Sequence, residues 1–209
     1  MHAPPGSSES PSLELKMIEA AGHLLAYYHA DLCFIRDFHR NKTGCLSDAE
    51  YLRDDQGTFC HFLKEFRVLR KVKVGASGEL LQWTKRWVAG PAPEDVDGFA
   101  KQIRECGLTH GETVTSLASK ILFPNNPSVI LPIDQNVRKT VHLSGNAYAD
   151  YLPLALDFRE RYKAEIDRIF VTIGPYLAVI EDEFKSDVTN IAMIRANRYL
   201  DKLLWVCGT

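Results

Sequence analysis

Across 209 residues, apolar side chains recur at intervals of three and four and nowhere alternate over a useful length. That spacing commits a chain to helices that each bury one face, and it leaves no pattern from which to build a sheet. Residues 13–40 carry it most clearly, with Leu15, Ile18, Leu25, Tyr28, Leu32 and Ile35 recurring along one helix. The stretch HRNKTGC breaks this helix. Ser47, with Glu50 three residues on, then forms a capping box for the next. Phe59, Phe62, Leu63, Phe66 and Leu69 mark a third stretch, and Leu80, Leu81, Trp83, Trp87 and Val88 a fourth. The spacing predicts further helices over 94–106, closed by Gly107, and over 112–123. PNNPSVILPID reads as a loop. Asp134 opens a helix that stops at Gly145, and others are expected over 153–171, from Pro175 onward, and over 189–206. Only 68–74, VLRKVKV, suits a short strand. The fold class is all-α.

Composition narrows the function classes. A hydrophobic content of 45% suffices for one compact core, or for two small helical lobes sharing one. The formal net charge is -2, so any nucleic-acid contact must come from local basic patches. No apolar run approaches the roughly 20 residues needed to cross a bilayer, so no membrane partner is expected. Residues 1–12 have neither the basic start nor the apolar stretch of a secretory signal and read as a disordered tail. Cysteines 33, 45, 60, 106 and 207 are odd in number and scattered. They argue for free thiols in a reducing cytoplasm, against disulfides, and against a zinc or iron–sulfur site. The expectation is a cytoplasmic monomer without metal or cofactor.

The segment that carries chemistry runs from Ser116 to Val141, SLASKILFPNNPSVILPIDQNVRKTV. It resembles the core signature of the helix-hairpin-helix, Gly/Pro-Asp superfamily of DNA glycosylases. In that family a hairpin and a helix lead into a Gly- and Pro-rich loop, and an Asp then begins the next helix. An apolar residue, often Pro, tends to precede the Asp, and a basic residue follows it. Here the stretch is Leu131-Pro132-Ile133-Asp134-Gln135-Asn136-Val137-Arg138. The closing order Arg195, Arg198, Tyr199, Asp201, Leu204, Trp205 is similar to the last helix of small bacterial members. More loosely, the chain resembles glycosylases that bacteria use against phages with modified cytosines.

The resemblance implies one domain over 13–209, built as two helical lobes with the active cleft between them. One lobe would comprise 13–45 and 150–209, the other 46–149. It implies hydrolysis of the N-glycosidic bond of a damaged or modified base flipped out of double-stranded DNA, leaving an abasic site. Asp134 would be the catalytic carboxylate. Cleaving that bond builds positive charge on the sugar, which a fixed carboxylate stabilises while it activates water. Backbone N–H groups at a helix start hold such an anion in place. Asp is also among the commonest N-caps, so a cap by itself has a purely structural role.

Two departures from the family pattern bear on mechanism. Bifunctional relatives carry a nucleophilic Lys about 18 residues before the Asp, where this chain has Ser116. The resemblance therefore implies a monofunctional, hydrolytic enzyme. Lys120 follows one turn later on the same face. Where relatives have a Gly-x-Gly hairpin turn, the chain has Thr109-His110-Gly111-Glu112-Thr113-Val114.

Expected DNA contacts are Ser116, Lys120, Gln135, Asn136, Arg138, Lys139, Arg70 and Lys71. Arg70 and Lys71 belong to a basic run with Lys64, Arg67 and Lys73. For the base pocket the candidates are Tyr27, Tyr28, Phe38 and Trp205, with Phe34 and His39 beside them. Asp31 and Asp37 are candidates for reading an amino group on the base. Two alternatives stay open: a non-catalytic helical DNA-binding module, and a helical interaction or regulatory domain without DNA affinity.

Overall fold

The structure, a computed structural model, describes residues 12–53 and 57–209. The tail expected over 1–12 therefore lies outside the described residues, save Ser12, whose hydroxyl accepts from the Leu15 N–H and caps the first helix. The described chain is all-α, with helices α1 (Leu13–Lys42), α2 (Asp48–Leu52), α3 (Thr58–Glu65), α4 (Ser77–Val88) and α5 (Val96–Glu105). They are followed by α6 (Thr115–Leu122), α7 (Gln135–Thr140), α8 (Tyr148–Arg161), α9 (Lys163–Asp182) and α10 (Ile191–Cys207). No described helix is long and apolar enough to cross a membrane.

Local chemistry starts and stops these helices. The capping box at α2 is complete: the Glu50 N–H donates to Ser47 Oγ at 3.2 Å, and the Ser47 N–H donates to Glu50 Oε2 at 3.0 Å. Asp95 caps α5 by accepting from the Gly98 N–H at 2.8 Å. Gly107, at φ +73°, ends α5 in the left-handed conformation that suits a residue without Cβ. Arg67 holds the same conformation at φ 54° just after α3, where glycine would be easier.

α1 is the spine of the molecule. It packs along α9 and α10, and α10 in turn packs on α7, while α5 lies against α6. The buried residues form a single apolar cluster. Leu24, Leu32 and Ile35 come from α1, Leu200, Leu203 and Leu204 from α10, and Phe99, Ile103, Leu117 and Ile121 from α5 and α6.

The boundaries differ from expectation at two prolines and at the turn around Gly111. Pro153 and Pro175 lie inside α8 and α9 rather than bounding them. Each proline deprives the carbonyl four residues earlier of its donor. Those residues, Ala149 and Val171, are exposed, so water can serve instead. The helix expected over 112–123 begins only at Thr115, because the turn around Gly111, at φ +87°, uses the preceding residues. Residues 68–74 form no strand. Leu69–Lys71 is a 3₁₀ turn, and the sole described β contact is a bridge between Val72 and Thr109. That bridge ties the basic run to the turn before α6.

α10 ends against α7 through a close backbone approach. A Cβ on Gly208 would collide with the Asn136 backbone, two residues from Asp134. The Thr140 hydroxyl donates to the Leu204 carbonyl at 2.6 Å, fixing the same contact. Gly208→Ala is expected to cost about 1–3 kcal/mol, the usual range for overpacking. Thermal unfolding would show this as a drop of a few degrees in Tm, at roughly 2–4 °C per kcal/mol for a chain of this size. An unchanged Tm would mean the contact yields freely.

Candidate functional site

A cleft of about 950 Å³ opens between α1 and α10 on one side and the segment before α6, α6 itself and α7 on the other. Its first wall follows helical spacing: His23, Tyr27, Asp31 and Phe34 along α1, and Arg198, Asp201, Lys202 and Trp205 along α10. The opposite wall takes residues from the end of α3 through Lys71, from Glu112 to Lys120, and from Pro132 to Arg138. Eight basic side chains face five acidic ones around it, in a chain whose net charge is -2. The cleft is thus locally more basic than the molecule.

Asp134 sits in this cleft as the N-cap of α7. Its Oδ1 accepts from the N–H groups of Asn136 at 2.9 Å and Val137 at 3.2 Å, and its side chain remains 29% exposed. The loop before it is fixed from several sides. Ser119 Oγ accepts from the Ile133 N–H at 3.1 Å, the Leu131 N–H donates to the Tyr148 hydroxyl at 2.8 Å, and the Tyr151 hydroxyl donates to the Pro132 carbonyl at 3.2 Å. Asn197 of α10 donates to the carbonyls of Pro127 and Ser128. Buried polar groups are therefore paired along the loop, and the carboxylate has little freedom to move.

Lys120 reaches the same point. Its Nζ lies 3.7 Å from Asp134 Oδ2, an ion pair too long for a hydrogen bond, and donates to the Phe66 carbonyl at 3.2 Å. The side chain is only 13% exposed. Burial pulls its ammonium below the usual lysine range, against the pull of Asp134. Lys120 is thus a largely buried lysine that still lines the cleft. It lies inside the cleft wall.

The deepest part of the α1–α10 wall is an ionic cluster. Arg198, 1% exposed, donates from Nε to Asp31 Oδ2 and from one terminal nitrogen to Asp201 Oδ2, both at 2.8 Å. Its guanidinium lies 4.8 Å from the ring centre of Phe123 and 5.4 Å from that of Phe66. Burial works against its charge, and the two aspartates overcome that, holding the guanidinium above its usual range. Burial raises Asp201 despite Arg198. Lys202 is lowered by burial and by Arg198 and lies 5.3 Å over the Tyr27 ring.

The structure brings together Ser116, Lys120, Asp134, Gln135, Asn136, Arg138, Arg70, Lys71, Tyr27 and Trp205, all of which line the cleft. Five candidates stand apart. Tyr28 is completely buried, its hydroxyl donating to Glu181 at 2.9 Å, and Phe38 is a core ring. Neither lines the base pocket expected of them, because the cleft face of α1 is the one marked by Tyr27 and Asp31. Lys139 points away, toward the Gly208 carbonyl at 3.5 Å. Asp37 is engaged by Arg36 and Thr58, and His39 by the Asn125 carbonyl, outside the cleft. The sequence reading missed Arg198, Asp201 and Lys202 as cleft residues. The i, i+3, i+4, i+7 spacing of polar 198, 201 and 202 with Trp205 was the available signal.

Among the described residues, no group of three His, Cys, Asp or Glu side chains could hold a metal ion. Comparison with protein-family models, with curated proteins and with solved structures finds no match.

A direct check on the site is the titration of Lys120, followed by NMR of labelled lysine side chains. Lys120 is expected to lose its proton below the ordinary lysine value. Asp134→Asn should lower that midpoint further, since the carboxylate favours the ammonium. Titration in the ordinary range would place Lys120 in water rather than in the wall.

Proposed function

We propose that the chain is a DNA glycosylase that hydrolyses the N-glycosidic bond of a damaged or modified base, with Asp134 as the catalytic carboxylate. The observation that carries this reading is the anchoring of Asp134. A carboxylate is pinned at a helix start by two N–H groups, yet remains accessible in a cleft with a basic majority. Such a group suits a reaction in which positive charge develops on a bound sugar. In this reading the cleft lies between two lobes of the helix-hairpin-helix glycosylase type, and α5, the 109–114 turn and α6 form the hairpin unit. The partner is double-stranded DNA, bound by a monomer. The extruded nucleotide enters the cleft, Asp134 orients water toward C1′, and the C1′–N bond breaks with its electron pair leaving on the base. Water supplies the new C1′–O bond, and its proton is released.

Lys120 supports a second reading. A buried amine with a lowered proton affinity, 3.7 Å from the carboxylate, has the chemistry to attack C1′ and form an imine. It stands four residues beyond the position where relatives carry their nucleophile. Borohydride separates the two readings: hydrolysis leaves no protein–DNA adduct, whereas an imine is trapped covalently and the trap is lost in Lys120→Met.

The central experiment incubates the protein with duplexes carrying single modified bases and detects released base and alkali-labile sites. Asp134→Asn is expected to slow release by about 10²–10⁴-fold, the usual contribution of a positioned acid–base group, while leaving DNA binding in place. Release by the mutant at the wild-type rate would end the assignment. No release by either protein, with binding retained, would favour the non-catalytic DNA-binding module.

DNA affinity should fall steeply with salt, because Arg70, Lys71 and Arg138 would each displace a counterion from a phosphate. Replacing Arg70 and Lys71 by Ala is expected to reduce the slope of log affinity against log salt by about 2. An unmeasurable affinity at low salt would leave the interaction-domain alternative.

A further inference from the structure

The α1–α10 wall holds more charge than packing requires. Arg198 takes up Oδ2 of both Asp31 and Asp201, and no described hydrogen bond reaches Oδ1 of either aspartate. Both residues line the cleft, so each brings a spare acceptor to its wall. Lys202, next in sequence to Asp201, brings a donor to the same region. The rings of Tyr27, Phe34, Phe66 and Trp205 also line this cleft. An aromatic surface beside a fixed pattern of acceptors and one donor is what an extruded base needs in order to be stacked and read by its edge.

Building on the glycosylase reading, we propose that Asp31 and Asp201, locked by Arg198, form the base-reading pocket, and that it selects bases carrying an exocyclic amino group. A carboxylate oxygen can accept a hydrogen bond from an amino group but finds no donor on a carbonyl. Replacing the amino group by an oxo group therefore sets two acceptors against each other and leaves the Oδ1 of a buried carboxylate without a donor. Lys202 suits the ring nitrogen or carbonyl that neighbours the amino group on cytosine and on purines. The Arg198 clamp explains why such reading is sharp: the carboxylates cannot turn away without breaking charge-assisted bonds in a buried site. Uracil- and hypoxanthine-type bases, which carry oxo groups in these places, are disfavoured.

Matched pairs that differ only in amino against oxo test this. Suitable pairs are 5-hydroxymethylcytosine with 5-hydroxymethyluracil, adenine with hypoxanthine, and 8-oxoadenine with 8-oxohypoxanthine. Each is built as a 2′-fluoro nucleotide, which resists cleavage, opposite an abasic analogue so that base pairing does not enter. Fluorescence anisotropy then reports pocket occupancy whether or not the bond is cut. The full chain is expected to bind the amino member of at least one pair on the order of 10-fold more tightly, the scale expected when one buried acceptor is left unsatisfied. It should prefer the oxo member of none. Asp201→Asn, which keeps an acceptor for Arg198 but can also present a donor, should narrow the gap. If that variant does not fold, Asp31→Asn takes its place, and if neither folds the wild-type preference decides.

Equal affinity within every pair, or a preference for oxo members, overturns the inference while leaving the glycosylase reading intact. A gap unchanged in a folded Asp201→Asn protein overturns it as well. Amino preference without release of any base from ordinary, cleavable duplexes would instead sink the glycosylase chemistry and keep the pocket. Failure to bind any duplex would remove both.

Discussion

A fully buried guanidinium governs how this molecule is put together. Arg198 joins α10 to α1 through Asp31, braces its own helix through Asp201, and lies over Phe123 and beside Phe66 from elements on the far side of the cleft. Taking such a charge out of water is costly unless every partner is in place. Removing one partner from a buried pair typically costs about 3–5 kcal/mol. The cluster therefore makes the relative placement of α1, α10 and the 66–123 region a matter of all or nothing. Apolar contacts alone would tolerate sliding; a guanidinium with two fixed carboxylates and two rings does not. The width of the cleft follows from that constraint.

The carboxylate at the start of α7 depends on the same frame at one remove. α7 is only six residues long and could not stand alone. It is held by α10 through Thr140 and the Gly208 approach, and by the preceding loop through Ser119, Tyr148 and Tyr151. A short helix docked this firmly gives the Asp134 carboxylate a precise position without a long lever that could bend. Lys120 adds a second buried ion to the arrangement, and its bond to the Phe66 carbonyl links the site to the end of α3.

Much of this was legible in the sequence, and the reasons are local. The three-and-four spacing announced α1, the Ser47–Glu50 pair announced α2, and Asp134 announced its own role as a cap, because each signal lies within a few residues of its effect. What was not legible depends on distant partners. Asp31 and Arg198 are 167 residues apart, and nothing near either one says that it is buried. Tyr27 and Tyr28 are neighbours of the same type, yet one lines the cleft and the other donates to Glu181 in the interior. Only the position of α9 decides between them. Pro153 and Pro175 misled for a related reason: a proline breaks a helix when its orphaned carbonyl is buried, and here the affected residues are exposed.

The left-handed backbone at Arg67 carries a cost that its neighbours make intelligible. A residue with a Cβ in that conformation gives up about 1–2 kcal/mol relative to the right-handed form, and glycine would avoid the strain. At this turn the chain reverses out of α3, with the Val68 N–H donating back to the Leu63 carbonyl and the Phe66 carbonyl receiving Lys120. Glycine there would ease the backbone, but it would also strip a cation from the rim and loosen the turn that aims this carbonyl. A thermostability screen would therefore tend to favour the change that blunts the cleft, so the most stable version of this protein and the most capable one should part company at residue 67.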